Sequence, residues 1–90
     1  MDAAIGQQWL DVQFKSGITM AAARHAVGAC EHVPGVRLQS VTPDPAVTGT
    51  ADSARYNVTA ASDADMARLQ LCLQRHPSIV GVTLNEAGGY

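Results

Sequence analysis

The same short pattern occurs twice in this chain, and it constrains the fold more than any other feature. In "CEHVPGVRLQSV" (30–41) and in "LQRHPSIVGVTL" (73–84), a helical stretch ends in a histidine, a proline follows, and an apolar run rich in β-branched residues begins. Proline cannot continue a helix, and the apolar run has the composition of a strand. Each copy therefore predicts a helix that ends where the chain turns back into a sheet.

An alternating segment precedes each predicted helix. In "WLDVQFK" (9–15) and in "RYNVTA" (55–60), apolar and polar side chains alternate, which is typical of a half-buried strand. The side chains predicted to face the core are Leu10, Val12, Phe14, Tyr56 and Val58. A strand over 9–15 and another over 55–60 therefore complete a β-α-β unit in each half of the chain.

The two predicted helices share their apolar spacing and their capping residues. The first begins at Met20 after Thr19 and extends to His32, and the second follows Ser62 and ends at Pro77. Threonine and serine are favoured N-caps because the side-chain oxygen accepts a hydrogen bond from a free backbone N–H. The apolar stripes comprise Met20, Ala23, Val27 and Cys30 on the first helix, and Met66, Leu69, Cys72 and Leu73 on the second.

The order β-α-β-β-α-β predicts an α+β domain of the ferredoxin-like class. Right-handed crossovers give a four-stranded antiparallel sheet with both helices on one face and with the first and third strands in the centre. The domain is predicted over 9–86, with a long loop at 42–54 that is rich in turn-forming residues. Residues 1–8 are predicted to be disordered and residues 87–90 to be a flexible tail.

The charge and hydropathy of the chain exclude several classes of partner. The formal net charge is −2, and the six basic residues are scattered, which argues against nucleic-acid binding. No apolar run approaches the roughly 18–20 residues that a membrane helix needs, so we expect no membrane insertion. The start "MDAAIGQQW" has no basic region followed by an apolar stretch, and a cytoplasmic location is therefore predicted.

Two cysteines and two histidines match the ligand inventory of a zinc site. Cys30 and His32 form a C-x-H pair, and Cys72 and His76 form a C-x3-H pair, both weaker signals than C-x2-C. Both cysteines fall on the apolar stripes, where free cysteine behaves as a small hydrophobic residue. Buried reduced thiols are thus the favoured interpretation, with a metal site and a disulfide as alternatives. Each histidine suits the last turn of a helix, where it caps carbonyl groups.

The outer face of the first helix is unusual because it carries small residues and no fixed charge. A solvated helix normally presents lysine and glutamate there, and a glycine in a helix interior costs about 1 kcal/mol relative to alanine. Small residues let another backbone come close, so we expect contact with a protein partner or with a second copy. The predicted interaction residues are Ala22, His25, Gly28 and Ala29, together with the outward-facing Leu71 and the sole tryptophan, Trp9.

Catalysis and cofactor binding are not expected from this sequence. None of the nucleophile, metalloprotease, phosphate-loop or dinucleotide-binding motifs occurs, and the histidines do not converge on a serine or an acid by their spacing. The sequence therefore predicts a noncatalytic interaction or self-association module with no cofactor. A small-ligand-binding regulatory domain and a metal-binding domain are the alternatives.

Two long segments carry a family resemblance. The stretches "LDVQFKSGITMAAARHAVGACEHVPGVRLQSVTPD" and "ARYNVTAASDADMARLQLCLQRHPSIVGVTL" resemble the two halves of the extracellular domain of FtsX-type cell-division permeases, over residues 10–84. This resemblance implies a noncatalytic module that docks onto another protein. The second half is similar, more distantly, to ACT regulatory domains, which implies ligand binding. Heavy-metal-associated domains share the topology, although "KSGITMAAA" lacks the cysteines of their metal loop.

Overall fold

The computed structural model describes residues 7–86, which form six elements. The predictions made for residues 1–6 and 87–90 lie outside this range. The strands are β1 (Gln8–Phe14), β2 (Arg37–Pro43), β3 (Ala51–Asn57) and β4 (Ile79–Glu86), and the helices are α1 (Met20–Ala29) and α2 (Asp63–Gln74). In this part of the chain no helix has the length and apolar character needed to cross a membrane.

The four strands form one antiparallel sheet in the order β2-β3-β1-β4. The first and third strands are central, both helices cover one face, and β2 and β4 are the two edges. The predicted ferredoxin-like α+β fold is therefore confirmed.

The core lies between the sheet and the helices, where the predicted alternation and stripes place it. Leu10, Val12, Tyr56 and Val58 are fully buried, and Phe14 is nearly so. From the helices, the buried side chains include Ala23, Val27, Leu69 and Leu73. Because side chains alternate across a strand, the opposite face of the sheet carries polar residues and stays open.

Local hydrogen bonds fix where the helices begin. The Thr19 hydroxyl accepts a hydrogen bond from the Ala22 backbone N–H at 3.1 Å, as predicted. Ser62 and Asp65 form a reciprocal capping box at the start of α2. The caps thus satisfy N–H groups that have no partner within the helix.

The first helix ends earlier than the sequence pattern predicts. It stops at Ala29, and Cys30 and Glu31 donate backbone hydrogen bonds to the carbonyls of Val27 and Gly28, three residues back. These bonds tighten the last turn, so His32 lies beyond the helix. Gly35 then starts the chain towards β2 with φ at +76°, and a Cβ atom there would lie 2.6 Å from the Ala60 carbonyl oxygen. Only glycine fits both constraints.

The strand boundaries also differ from the prediction. β1 includes Gln8, which pairs with Glu86, so residue 8 is not part of a disordered terminus. β2 extends to Pro43 and β3 begins at Ala51, which reduces the predicted 42–54 loop to 44–50. The turn-forming composition was misleading because Pro43 lies on an edge strand, where its missing N–H is tolerated.

Candidate cysteine–histidine site and sheet edges

A disulfide joins the two helices. The Sγ atoms of Cys30 and Cys72 are 2.11 Å apart and their Cα atoms 5.8 Å apart. Cys30 follows the last residue of α1 and is fully buried, whereas Cys72 is partly buried on α2. The favoured prediction of two reduced thiols was wrong, because the apolar stripes of the helices lie side by side on the sheet and bring the cysteines to the same level.

The disulfide bears on the predicted compartment. Disulfides persist mainly in oxidising environments and are rare in the cytosol of mesophiles. The cytoplasmic location therefore stays a prediction, and the disulfide weighs against it.

The two similar histidines occupy different surroundings. The Nδ1 atom of His32 lies 2.8 Å from the Ala29 carbonyl oxygen, to which it donates when that nitrogen is protonated. His32 thus caps the end of α1, as predicted. His76 instead places a ring nitrogen near the sulfur atoms of Cys30 and Cys72, with all three atoms within 4.8 Å of one another.

The structure therefore brings together three of the four predicted metal ligands. We call Cys30, Cys72 and His76 the cysteine–histidine cluster, and His32 is not part of it. A zinc site uses cysteine as thiolate, and both sulfur atoms are bonded to each other in the disulfide. In this oxidised form the cluster lacks the thiolates that such a site requires.

A groove of about 360 Å³ opens over the disulfide. Its apolar lining comes from Val33, Pro34, Leu71 and Cys72, and its polar lining from His32, Arg68 and Arg75. Cys72 is accessible through this groove, whereas Cys30 lies behind it with no exposed area.

The predicted interaction residues do not form one surface. Ala22, His25, Gly28 and Ala29 are all exposed on the outer face of α1, as predicted. Leu71 has 59% of its surface exposed, but it lines the groove over the disulfide. Trp9 is on the open face of the sheet, opposite the helices. The role of these residues in binding stays a prediction.

Trp9 belongs to a polar network on the open face of the sheet. The Arg55 guanidinium lies 5.6 Å from the centre of the tryptophan ring. Arg55 also donates two hydrogen bonds to Asp11, at 2.7 and 3.0 Å, and Asn85 donates to the same carboxylate. The hydrogen bond to Asp11, together with its charge, raises the pKa of Arg55. These polar groups satisfy one another.

A buried phenol links the sheet to α1. Tyr56 on β3 has no exposed surface, and its hydroxyl donates a hydrogen bond to the Val27 carbonyl. Burial, and to a smaller extent the negative charge of Glu31, raises the pKa of Tyr56 above its usual value of 10.0. The hydroxyl therefore serves as a hydrogen-bond donor within the fold.

The β2 edge is protected against further strand pairing. The Glu31 carboxylate accepts a hydrogen bond from the Leu38 backbone N–H at 3.0 Å. The strand also carries Arg37 and Pro43, and its register with β3 shifts twice. Charge, proline, irregular register and cover by another segment are all devices that block edge pairing.

The β4 edge has few of these devices, and sequence reasoning missed it as a surface. It carries no charge from Ile79 to Asn85, and Val80 and Leu84 are exposed by 66% and 45%. A register shift affects only its first residues, and pairing with β1 is regular from Gly81 to Glu86. The long uncharged run of this strand was the available signal. We call residues 79–86 the open edge.

Comparison with known proteins supports the fold alone. No protein-family model and no curated protein sequence matches this chain. The FtsX-type, ACT and heavy-metal-associated resemblances therefore stay predictions. The solution structure of the C-terminal domain of the MgtC protein from Mycobacterium tuberculosis is similar, with a TM-score of 0.60 and 14% identity over 99% of this chain and 95% of that chain. At this identity the similarity establishes a shared small α+β fold.

Proposed function

We propose that this domain is a noncatalytic self-association module that dimerises through the open edge. The observation that carries the proposal is the contrast between the edges: β2 is blocked, whereas β4 is long, carries no charge before its last residue and exposes Val80 and Leu84. An edge strand leaves half of its backbone N–H and C=O groups without a partner in the sheet. A second strand satisfies them with main-chain hydrogen bonds.

Two copies of β4 fit together in the antiparallel direction without a charge conflict. Glu86 is the only charged residue of the strand and lies at its end. Antiparallel pairing about a two-fold axis places the two Glu86 side chains at opposite ends of the contact. The result is a continuous eight-stranded sheet with no like charges opposite each other.

Two apolar side chains of the open edge lie on the face of the sheet that carries the helices. Val82 and Leu84 are opposite the buried Val12 and Leu10 of β1, and therefore face the helical layer. A groove of about 330 Å³ separates this strand from α2, where Gln70 and Gln74 line it. Uncharged walls favour contact with a second copy of the same surface.

A noncatalytic role is part of the same proposal. Two of the groups that could transfer protons are engaged in the fold, because Asp11 is bound by Arg55 and Asn85, and Tyr56 is buried with a raised pKa. Small-ligand binding of the ACT type remains the alternative function that the sequence predicts. A ligand-dependent rise in melting temperature would favour that alternative.

The experiment is sedimentation equilibrium of the wild type and of Val80→Lys. We expect a concentration-dependent dimer for the wild type and a dissociation constant at least about tenfold higher for the variant, equivalent to about 1.4 kcal/mol. The control is Val47→Lys, which adds the same charge at an exposed valine between the strands. Equal effects of the two variants, or a wild type that is monomeric at all concentrations, would contradict the proposal.

A second variant distinguishes the open edge from the surface predicted on α1. Ala29→Glu adds a charge to the outer face of that helix, where the residue is exposed. We expect it to leave the dimer intact. Dissociation by Ala29→Glu, with no effect of Val80→Lys, would assign the interface to the helix instead.

A further inference from the structure

We propose that reduction of the disulfide converts the cysteine–histidine cluster into a zinc site with Cys30, Cys72 and His76 as its ligands. This inference is independent of self-association, because the cluster lies at the ends of the helices and the open edge is a strand. It assigns a metal and a redox condition to residues that form a structural cross-link in the oxidised protein.

The distances in the cluster are close to those of a tetrahedral metal site. Zinc lies about 2.3 Å from thiolate sulfur and about 2.0 Å from imidazole nitrogen, which puts neighbouring ligand atoms about 3.3–3.8 Å apart. In the oxidised protein the three ligand atoms lie within 4.8 Å of one another. Breaking the S–S bond lets the sulfur atoms separate to the spacing that such a site needs.

The helices hold two of the ligands in a suitable arrangement. Cys72 lies on α2, and His76 lies two residues past the end of that helix, where its backbone N–H donates a hydrogen bond to the Leu73 carbonyl. This tightened last turn keeps the His76 ring close to the sulfur of Cys72. Cys30 comes from the end of α1. The C-terminal ends of both helices thus meet at the cluster, and the partial negative charge of those ends favours a cation.

The groove over Cys72 provides access and a fourth position. A metal ion can enter through this opening, and a water molecule can complete the tetrahedron from the same side. His32 is left out of the ligand set because it is not among the residues whose ligand atoms lie within 4.8 Å of one another.

The reaction balances with a thiol reductant. Two reductant thiols break the Cys30–Cys72 bond, yielding two protein thiols and one reductant disulfide. Zn²⁺ then binds two thiolates and the neutral imidazole of His76, and two protons are released to solvent. In the reverse direction the reductant disulfide accepts the two electrons and two protons as it returns to two thiols, the Cys30–Cys72 bond re-forms, and Zn²⁺ is released.

The test is native mass spectrometry of the full chain, oxidised and reduced, after addition of zinc. The protein is reduced with an immobilised phosphine, which is removed before zinc is added. We expect one zinc per reduced chain and none per oxidised chain. Co²⁺ serves as a second probe, for which we expect the thiolate charge-transfer absorption of a cysteine-ligated ion only after reduction.

Three histidine variants identify the ligands. His76→Ala is expected to weaken zinc binding to the reduced chain by more than the roughly 10- to 100-fold that loss of an outer-shell partner costs. His32→Ala and His25→Ala are expected to leave the affinity unchanged. An equal loss with His32→Ala would overturn the assignment of ligands.

Circular dichroism keeps the test decisive if reduction unfolds the chain. In that case we expect added zinc to restore the helical signal, because metal binding then drives folding. A reduced chain that is folded and binds no zinc would overturn the proposal. So would a reduced chain that stays unfolded when zinc is added.

Discussion

The two halves of this molecule have the same order of elements and the same sequence of helix end, histidine, proline and strand. They differ in the contacts of the histidine and in the edge strand that follows it. In the first half, His32 caps the end of α1, and the β2 edge is covered by Glu31. In the second half, His76 lies beside the disulfide, and the β4 edge is open. The repeated sequence pattern thus determines where a helix ends, and the neighbours of each copy determine what its histidine does.

The spacing between cysteine and histidine explains the difference. His32 is two residues after Cys30, which places it past the helix, near the last carbonyl groups of α1. His76 also lies past the end of its helix, but Cys72 is within α2, and the tightened last turn returns the His76 ring to the side of that cysteine. The insertion of Val33 between histidine and proline accompanies the first arrangement.

Breaking the disulfide that joins the two halves is expected to cause the largest loss of stability. The bond closes a loop with a sequence separation of 42 residues. In the chain-entropy model, opening a loop of that size lowers the free energy of unfolding by about 4 kcal/mol. Urea denaturation of the oxidised protein, the reduced protein and the Cys30→Ala/Cys72→Ala variant measures this loss. Identical midpoints for the oxidised and reduced protein would show that the halves hold together without the bond.

Removing the Tyr56 hydroxyl is expected to have the second largest effect, because it links β3 of the second half to α1 of the first. Tyr56→Phe leaves the buried Val27 carbonyl without this donor, which costs about 1.5 kcal/mol. Chemical denaturation at pH 7 gives the value. A loss below about 0.5 kcal/mol, the lower end for a hydrogen bond, would contradict this role.

The same residue makes a pH prediction. The pKa of Tyr56 is raised in the folded state, so its contribution to stability is complete below the unfolded pKa of about 10 and is lost as pH rises towards the folded value. Stability is expected to fall above pH 10, and less steeply in Tyr56→Phe. Tyr90→Phe, which replaces the other tyrosine, is the matched control. An equal flattening by both variants would remove Tyr56 as the cause.

Opening the β2 edge directly tests the contrast between the edges. Glu31→Ala removes the acceptor of the Leu38 N–H, and we expect a loss of about 1 kcal/mol. Glu31→Gln keeps an acceptor and is expected to lose less. Arg37 and Pro43 remain, so the dimer constant should not change. Larger assemblies of Glu31→Ala in sedimentation would show that Glu31 alone kept this edge closed.

The two histidines are expected to give the smallest effects on stability. His32→Ala removes a side-chain hydrogen bond at an exposed helix end, which costs about 0.5 kcal/mol. His76→Ala in the oxidised protein is expected to cost less. Thermal unfolding of both variants compares them. A larger loss for His76→Ala would mean that this histidine stabilises the oxidised fold itself.

Most of the fold could be predicted because its signals are local. Alternation at Leu10 and Val12, the stripe through Leu69 and Leu73, and the caps at Thr19 and Ser62 each depend on a few neighbouring residues. Boundaries were less accurate, as at Pro43, because strand pairing extends into segments with turn-like composition.

The residues of the cluster were predicted as candidate metal ligands and the last strand as an outer one. The preference for a Cys30–Cys72 disulfide and the exposure of β4 could not be predicted, because each depends on contacts between distant residues. The disulfide requires α1 and α2 to place Cys30 and Cys72 next to each other on the sheet. The spacing of the two cysteines in the sequence does not show that the packed helices do so. The exposure of Val80 depends on β4 being an edge and on α2 leaving it uncovered.

The disulfide also divides the chain topologically. The bond between Cys30 and Cys72 closes a covalent ring that contains β2 and β3, while β1 and β4 lie on the two arms outside it. The sheet is therefore a cyclic hairpin onto which two free arms pair, and β4 is the outer one. Fluctuations that detach β4 leave the ring closed, so the strand proposed to recruit a second copy lies outside the part of the chain that the cross-link encloses.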